Sequence, residues 1–165
     1  MTDARPTVRL QRGADARLRR GHPWVFSNEV AMTAEAKAIA PGTVVRVEAA
    51  GGGDKEGEPL CCAYFNPHSL IALRRLDDDA DRAIDAGFLA ERLFDAPYYR
   101  LVHAEADGLP GLVIDRFGDL VVAQANTAGT ERLEPALLEA LGQVLGPAAV
   151  VLRNDTSVRG LEGLP

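Results

Sequence analysis

A chain of 165 residues, 47% hydrophobic and 25% charged with 16 Gly and 10 Pro, makes one ordinary domain or two small ones and excludes the disordered, collagenous and low-complexity classes. No apolar run approaches the roughly 18 residues of a membrane helix, and residues 1–10 lack the apolar stretch of a secretory signal, so a cytosolic protein is expected. The net charge of -6 conceals a segregation: residues 1–30 hold six arginines against three acids, a local +3, which leaves -9 for the remainder.

In chain order, Thr7 to Leu10 is a candidate strand, Ala14 to Arg20 a short amphipathic helix closed by Gly21, and Trp24 to Val30 a second strand begun after Pro23. Thr43 to Glu48 alternates Val45 and Val47 against Arg46, the period of a half-buried strand. Leu60 to Phe65 and Leu70 to Leu76 are two more strands about the turn 66–69. Five short strands with one small helix predict a compact barrel. The acid run Asp77-Asp78-Asp79-Ala80-Asp81 reads as a linker. Beyond it, Asp85 caps a helix that aligns Leu89, Leu93 and Ala96 and stops at Pro97. Tyr98 to Ala104, Leu112 to Arg116 and Leu120 to Ala125 are strands, Leu137, Leu141, Val144 and Leu145 mark a helix, and Ala149 to Arg153 is a last strand. The second part therefore reads as β-β-β-α-β, and the domains as 1–76, a linker and helix over 77–97, and 98–165.

Few residues invite chemistry. Cys61 and Cys62 are adjacent, so in a strand they point to opposite faces and offer neither a disulfide nor a CxxC metal site; no metal is expected. Gly51-Gly52-Gly53 leads into another strand and not into a helix, which fits an exposed hairpin loop better than a phosphate cradle. Glu105, Asp107 and Asp115 have no neighbouring nucleophile and read as turn and surface residues, and His103 as packed. Trp24 and Phe26 project to one face and are expected in the barrel core, a base-stacking platform being the alternative. The segment Arg17-Leu18-Arg19-Arg20-Gly21-His22 differs in kind: helical spacing puts Arg17 and Arg20 on one side with Arg19 flanking, an arrangement suited to a phosphate backbone. Sixteen of the 18 basic residues are arginines, the side chain suited to bidentate phosphate contact.

Four strings, in order, carry a resemblance. They are Arg17-x-x-Arg20-Gly21-His22-Pro23-Trp24-Val25-Phe26-Ser27, Tyr64-Phe65-Asn66-Pro67-His68-Ser69, the stretch from Tyr99 to Gly111 that ends in Asp107-Gly108-Leu109-Pro110-Gly111, and Arg153-Asn154-Asp155 to Glu162-Gly163-Leu164. The chain resembles the RlmI type of methyltransferase, which makes 5-methylcytosine in large-subunit ribosomal RNA with S-adenosylmethionine as donor. The resemblance implies an N-terminal PUA-like β-pseudobarrel that binds RNA, a small α+β middle domain and then a Rossmann-like catalytic domain. The chain ends at Pro165, where that last domain would begin, so the expected fold class is mixed β and α+β without a Rossmann-like part, inactive alone, with no donor bound in this chain. In that reading Arg17, Arg19 and Arg20 grip phosphates, His22, Asn66 and Ser69 add hydrogen bonds, and Arg153 and Arg159 face the catalytic cleft; no residue is catalytic. The family has a longer helical segment between Leu93 and Tyr98, so residues are expected to be missing there, with an uncovered apolar helix face and a poorly ordered 77–97. A stand-alone RNA-binding adaptor, a small hydrolase on Glu105 and Asp107, and a protein-interaction module remain open, as does a homodimer; no membrane partner is expected.

Overall fold

The computed structural model describes residues 5–50, 57–93 and 98–165. Two sequence expectations, the glycine loop at 51–53 and the missing segment between Leu93 and Tyr98, lie outside the described residues. The chain forms two compact units, Met1–Arg82 and Ala83–Pro165.

The first unit is built on strands β1 (Thr7–Arg9), β2 (Trp24–Phe26), β3 (Thr43–Glu48), β4 (Pro59–Phe65) and β5 (Ile71–Asp77), with short helices α1 (Asp15–Arg19) and α2 (Ala34–Ala38). They form one sheet in the order β1-β3-β4-β5-β2, parallel between β1 and β3 and antiparallel elsewhere. Beyond the two edge strands an isolated bridge pairs Leu10 with Val30, and Gln11 N donates to Glu29 O at 2.7 Å, so the sheet ends are stitched together. Period-two alternation fills the interior: Val45 and Val47 from β3, and Cys61, Ala63 and Phe65 from β4, pack with Val8, Leu18, Val25 and Leu73. The other face of β4 is buried too, and burial pushes the Cys61 thiol up to about 12 and raises Cys62 and Tyr64 as well. Neither thiol is therefore a nucleophile at neutral pH.

Two sequence expectations fail in this unit. The strand from Trp24 ends at Phe26, because Phe26 N donates to Glu29 Oε2 at 2.8 Å and residues 27–29 turn into a 3-10 helix. Trp24 and Phe26 are also not core residues. Val25 between them is the one turned inward, at 2% exposure, and alternation leaves both rings half-buried on the opposite face. Helix α2, unexpected, starts where Thr33 Oγ1 accepts from Ala36 N at 3.2 Å, a cap legible in the sequence.

The acid run is docked. Arg5 donates to the Ala80 and Arg82 carbonyls at 2.6 and 2.7 Å, Arg46 pairs with Asp81, and Arg75 with Asp78 at 2.8 Å. Asp77 and Asp79 carboxylates accept from the amides two residues on, at 3.0 and 2.9 Å, making successive tight turns.

The second unit runs α3 (Ala86–Ala90), β6 (Tyr98–His103), β7 (Leu112–Phe117), β8 (Leu120–Ala125), α4 (Ala128–Arg132), α5 (Glu134–Val144) and β9 (Ala149–Leu152). Its sheet order is β6-β7-β8-β9. Strands β6, β7 and β8 are antiparallel neighbours, whereas β9 lies parallel to β8. The expected fold class, a β-pseudobarrel followed by β-β-β-α-β with nothing Rossmann-like, needs correction on this point. A parallel pair joined through α4 and α5 is a βαβ crossover, the unit from which Rossmann-like sheets are built. The succession β8, helix, β9 is legible in the sequence, but the parallel pairing of β9 with β8 is not, nor is α4, which follows Thr127, whose hydroxyl and that of Thr130 close a reciprocal cap.

Helix α3 also departs from expectation. Asp85 Oδ1 does accept from Phe88 N at 3.0 Å, as a cap should, but the apolar face is covered: Phe88 and Leu89 are each 1% exposed and Leu93 9%. The helix packs on α5, which buries Leu137, Ala140 and Leu141. Burying Phe88 and Leu89 contributes about 1.5–3 kcal/mol each, enough to hold a helix too short to persist alone. His103, expected to pack, is exposed.

Candidate nucleic-acid interface

The arginines of α1 do not form the uniform comb that their spacing suggests. Arg17 Nη1 reaches Glu29 Oε1 at 3.3 Å, its Nη2 lies 3.1 Å from His22 Nε2, and its guanidinium carbon stands 5.2 Å from the centre of the Phe26 ring. Glu29 at the same time holds the Phe26 amide, and His22 Nδ1 accepts from Trp24 N at 3.2 Å. Arg17 and His22 thus tie α1 to β2.

Arg19 Nε donates to Asp15 Oδ2 at 2.6 Å, one turn back, and its Nη1 and Nη2 clamp the two Glu58 oxygens at 3.0 and 2.7 Å. Those bonds, Glu58 first, raise its pKa further. Arg20 is exposed and, among the described residues, is paired with no carboxylate.

Arg19 and Arg20 open, with Leu18, Gly21, Pro59, Leu60, Arg75 and Asp78, onto a cleft of about 550 Å³. Arg75 enters the sequence reading only, with Arg74, as an alternative binding face apart from the α1 arginines. It arrives because β5 pairs with β2, and its amide donates to the Pro23 carbonyl at 2.8 Å. A strand inside the sheet cannot be seen to meet α1 without the sheet order. The cleft gathers three guanidiniums: Arg19 is paired with Asp15 and Glu58 and Arg75 with Asp78, whereas Arg20 has no carboxylate partner among the described residues and is the cation most available to a polyanion.

The other expected residues lie elsewhere. Asn66 and Ser69 are both buried in the β4–β5 turn, where Asn66 Oδ1 accepts from His68 N at 3.0 Å and Ser69 N donates to Asn66 O at 3.3 Å. In the second unit Arg153 is exposed and faces Asp155 at 3.4 Å. Arg159, expected in a cleft, is 3% exposed, with Nη1 on the Ala125 carbonyl, Nη2 on Glu131 and Nε on the Pro165 carbonyl at 3.1 Å; it is a tie inside that unit. Asp115, read as a solvent-facing group, forms a two-pronged pair with Arg100 at 2.8 and 3.1 Å, and Asp107, read as a turn residue, accepts from His103 N. Among the described residues no helix is long and apolar enough to cross a membrane.

Residues 8–78 match the PUA-like domain family. Over almost its full length the sequence also aligns with "Ribosomal RNA large subunit methyltransferase I" of several bacteria: 38% identity with the protein of Cronobacter sakazakii, over 94% of this chain and 41% of that one; 39% with that of Erwinia tasmaniensis, over 96% and 42%; and 36% with that of Klebsiella pneumoniae, over 99% and 43%. The chain is a relative of the RlmI-type ribosomal RNA methyltransferases. It spans about two-fifths of the length of these RlmI relatives. In fold it is similar to a Streptococcus mutans protein classed as a SAM-dependent methyltransferase (TM-score 0.68, 15% identity, 90% of this chain and 41% of that one). A second solved structure of that class, complexed with SAH, matches at TM-score 0.68 over 90% of this chain and 40% of its own. A likeness of fold to methyltransferases over nine-tenths of the chain, together with the β8–β9 crossover, overturns the expectation that nothing Rossmann-like is present.

S-adenosylmethionine, which that class implies, can be tested against the described strand-to-helix turn, from β8 into α4. The turn is full: Asn126 Oδ1 accepts from Thr156 Oγ1, the Thr127 and Thr130 hydroxyls bond each other at 3.0 Å, and Gly111 lies against Thr127. The polar groups of this turn are engaged with one another, and no step is derived through the donor.

Proposed function

We propose that the first unit grips large-subunit ribosomal RNA for S-adenosylmethionine-dependent cytosine-5 methylation, residues 1–76 serving as the binding part, 77–97 as the connection and 98–165 as the middle part. The observation that carries this reading is the convergence of Arg19, Arg20 and Arg75 on one cleft of the PUA-like unit. Charge distribution supports it. Met1–Arg82 balances twelve basic residues against twelve acidic ones, whereas Ala83–Pro165 holds six against twelve and so carries the entire -6. An RNA phosphate approaching Arg75 exchanges its Asp78 partner for another anion, and one approaching Arg19 competes with both Asp15 and Glu58; exposed ion pairs are worth only about 0–1 kcal/mol each. Arg20 contributes without exchange. Arg17 and His22 act by fixing α1 on β2, and Asn66 and Ser69 by shaping the β4–β5 turn.

Replacing Arg19, Arg20 and Arg75 together by Glu is expected to weaken binding to structured ribosomal RNA fragments by at least tenfold. It should also lower the log-log salt slope by about 0.7 to 0.9 for each phosphate no longer neutralised. All three side chains sit on the surface of the cleft, so circular dichroism should be unchanged. A triple variant with wild-type affinity and slope would place the RNA elsewhere.

A further inference from the structure

The outward face of β2 is not used by the cleft, and it has a chemistry of its own. We propose that this face stacks an unpaired base of the bound RNA, with Trp24 as the platform. The inference rests on the RNA-binding reading above and adds to it a contact that phosphate binding does not need.

The rings are where a base can reach them. Trp24 and Phe26 are half-buried, on the side of β2 opposite the core, and β2 ends the strand order of its sheet. Cations border them. Trp24 sits directly across from Arg74 in the β2–β5 register, and the Arg74 guanidinium carbon is 6.0 Å from the indole centre. Arg17 stands 5.2 Å from the Phe26 centre, and the His22 ring meets the indole edge-on at 6.1 Å and 76°. Histidine, anchored by the Trp24 amide, therefore fixes the orientation of the indole from one side while the arginines supply positive charge beside both rings. An aromatic plane with flanking guanidiniums is the arrangement that holds single-stranded nucleic acid, the ring taking a base of any sequence and the cations taking its backbone.

The chain order links this face to the cleft. Gly21 lines the cleft and Trp24 follows three residues later, while β5 sends Arg75 to the cleft and its neighbour Arg74 to the ring. Successive strand residues point to opposite faces, so one pair of adjacent arginines serves both surfaces. The prediction is of a junction: RNA with an unpaired nucleotide next to a phosphate run is held better than a continuous duplex, whose bases are already stacked on one another.

Trp24 is the sole tryptophan of the chain, so its emission reports this contact directly. The full chain is titrated with a fluorescein-labelled ten-nucleotide single strand, with the same strand annealed into a duplex, and with heparin, a polyanion without bases. Anisotropy follows binding and tryptophan emission follows stacking. The expected result is quenching by the single strand that saturates with its anisotropy change, little quenching by the duplex and none by heparin. Trp24→Leu should lose five- to a hundredfold in affinity for the single strand with an unchanged salt slope, and Trp24→Phe should recover most of it. A merely structural tryptophan would not separate affinity from salt slope in this way. Binding of the single strand without quenching, or equal quenching by heparin, overturns the platform and leaves the phosphate cleft standing. Absence of binding to the single strand, the duplex and heparin alike overturns both. Should Trp24→Leu fail to fold, the wild-type quenching pattern alone decides.

Discussion

A Cβ built on Gly111 would stand 2.2 Å from Thr127 Cγ2 and 2.9 Å from its Oγ1, and the residue has a φ of +76° besides. Either constraint alone favours glycine; together they fix it, because the clash falls on a threonine that cannot move without opening the cap of α4. The consequence reaches the β8–β9 crossover, since α4 and α5 carry the chain between those strands. Gly111→Ala is therefore expected to cost about 2–4 kcal/mol, the sum of a left-handed backbone penalty and overpacking. Chemical denaturation of the full chain measures it, and a loss below half a kcal/mol would show that Thr127 is free to give way. Arg159 shows in the same way that a residue's partners decide its role. The family resemblance implies that it faces a catalytic cleft, yet its guanidinium reaches the Ala125 carbonyl and Glu131, partners 34 and 28 residues away, and only the fold brings them together.

Helices and strands with a strong local signal were legible: Asp85 announces α3, and the valines of β3 alternate as a half-buried strand must. What was not legible depended on sheet order. The pattern Trp24-Val25-Phe26 says that two rings share a face but not which face meets the core, and in the fold it is Val25 that joins Leu18, Val30 and its cross-strand neighbour Leu73 in the interior. In the same way the acid run looked like a linker because its partners, Arg5 and Arg46, lie more than thirty residues upstream. Docked, that segment is an element in its own right, and a prediction follows from its tether. Arg46 holds the Asp81 carboxyl below its ordinary range, chiefly through their hydrogen bonds. A depressed carboxyl stabilises the folded form above its ordinary pKa of 3.8, and that contribution is lost as the pH falls through the lower folded value. At pH 8 the tether is therefore intact, and Arg46→Ala should speed tryptic cleavage after Arg82 several-fold while leaving the thermal midpoint nearly unchanged, as expected for an exposed pair. Equal cleavage rates in variant and wild type would mean that the Arg5 bonds to the Ala80 and Arg82 carbonyls and the Arg75–Asp78 pair hold the segment without Arg46.

On the scale of the molecule, each of the two units has its own sheet and its own buried core, and the charge divides between them as neutral and -6. The interior of the first unit closes on residues between Val8 and Leu73, and its last segment is tied back by Arg5, Arg46 and Arg75, all within Met1–Arg82. A polypeptide of some eighty residues with that core sits near the lower limit for independent folding, where about 60% of the unfolded surface is buried and every tether matters. The expectation is that residues 1–82 expressed alone fold cooperatively and keep the RNA affinity and salt slope of the full chain to within about threefold. The fragment 83–165, with twice as many acids as bases, should show no RNA binding at physiological salt because its field repels the phosphate backbone. Circular dichroism establishes folding, and anisotropy titrations at several salt concentrations establish the slope. A folded first fragment that binds more than tenfold more weakly than the full chain would mean that binding draws on both units. Affinity retained by the second fragment alone would contradict the assignment of RNA to the Arg19, Arg20 and Arg75 cleft.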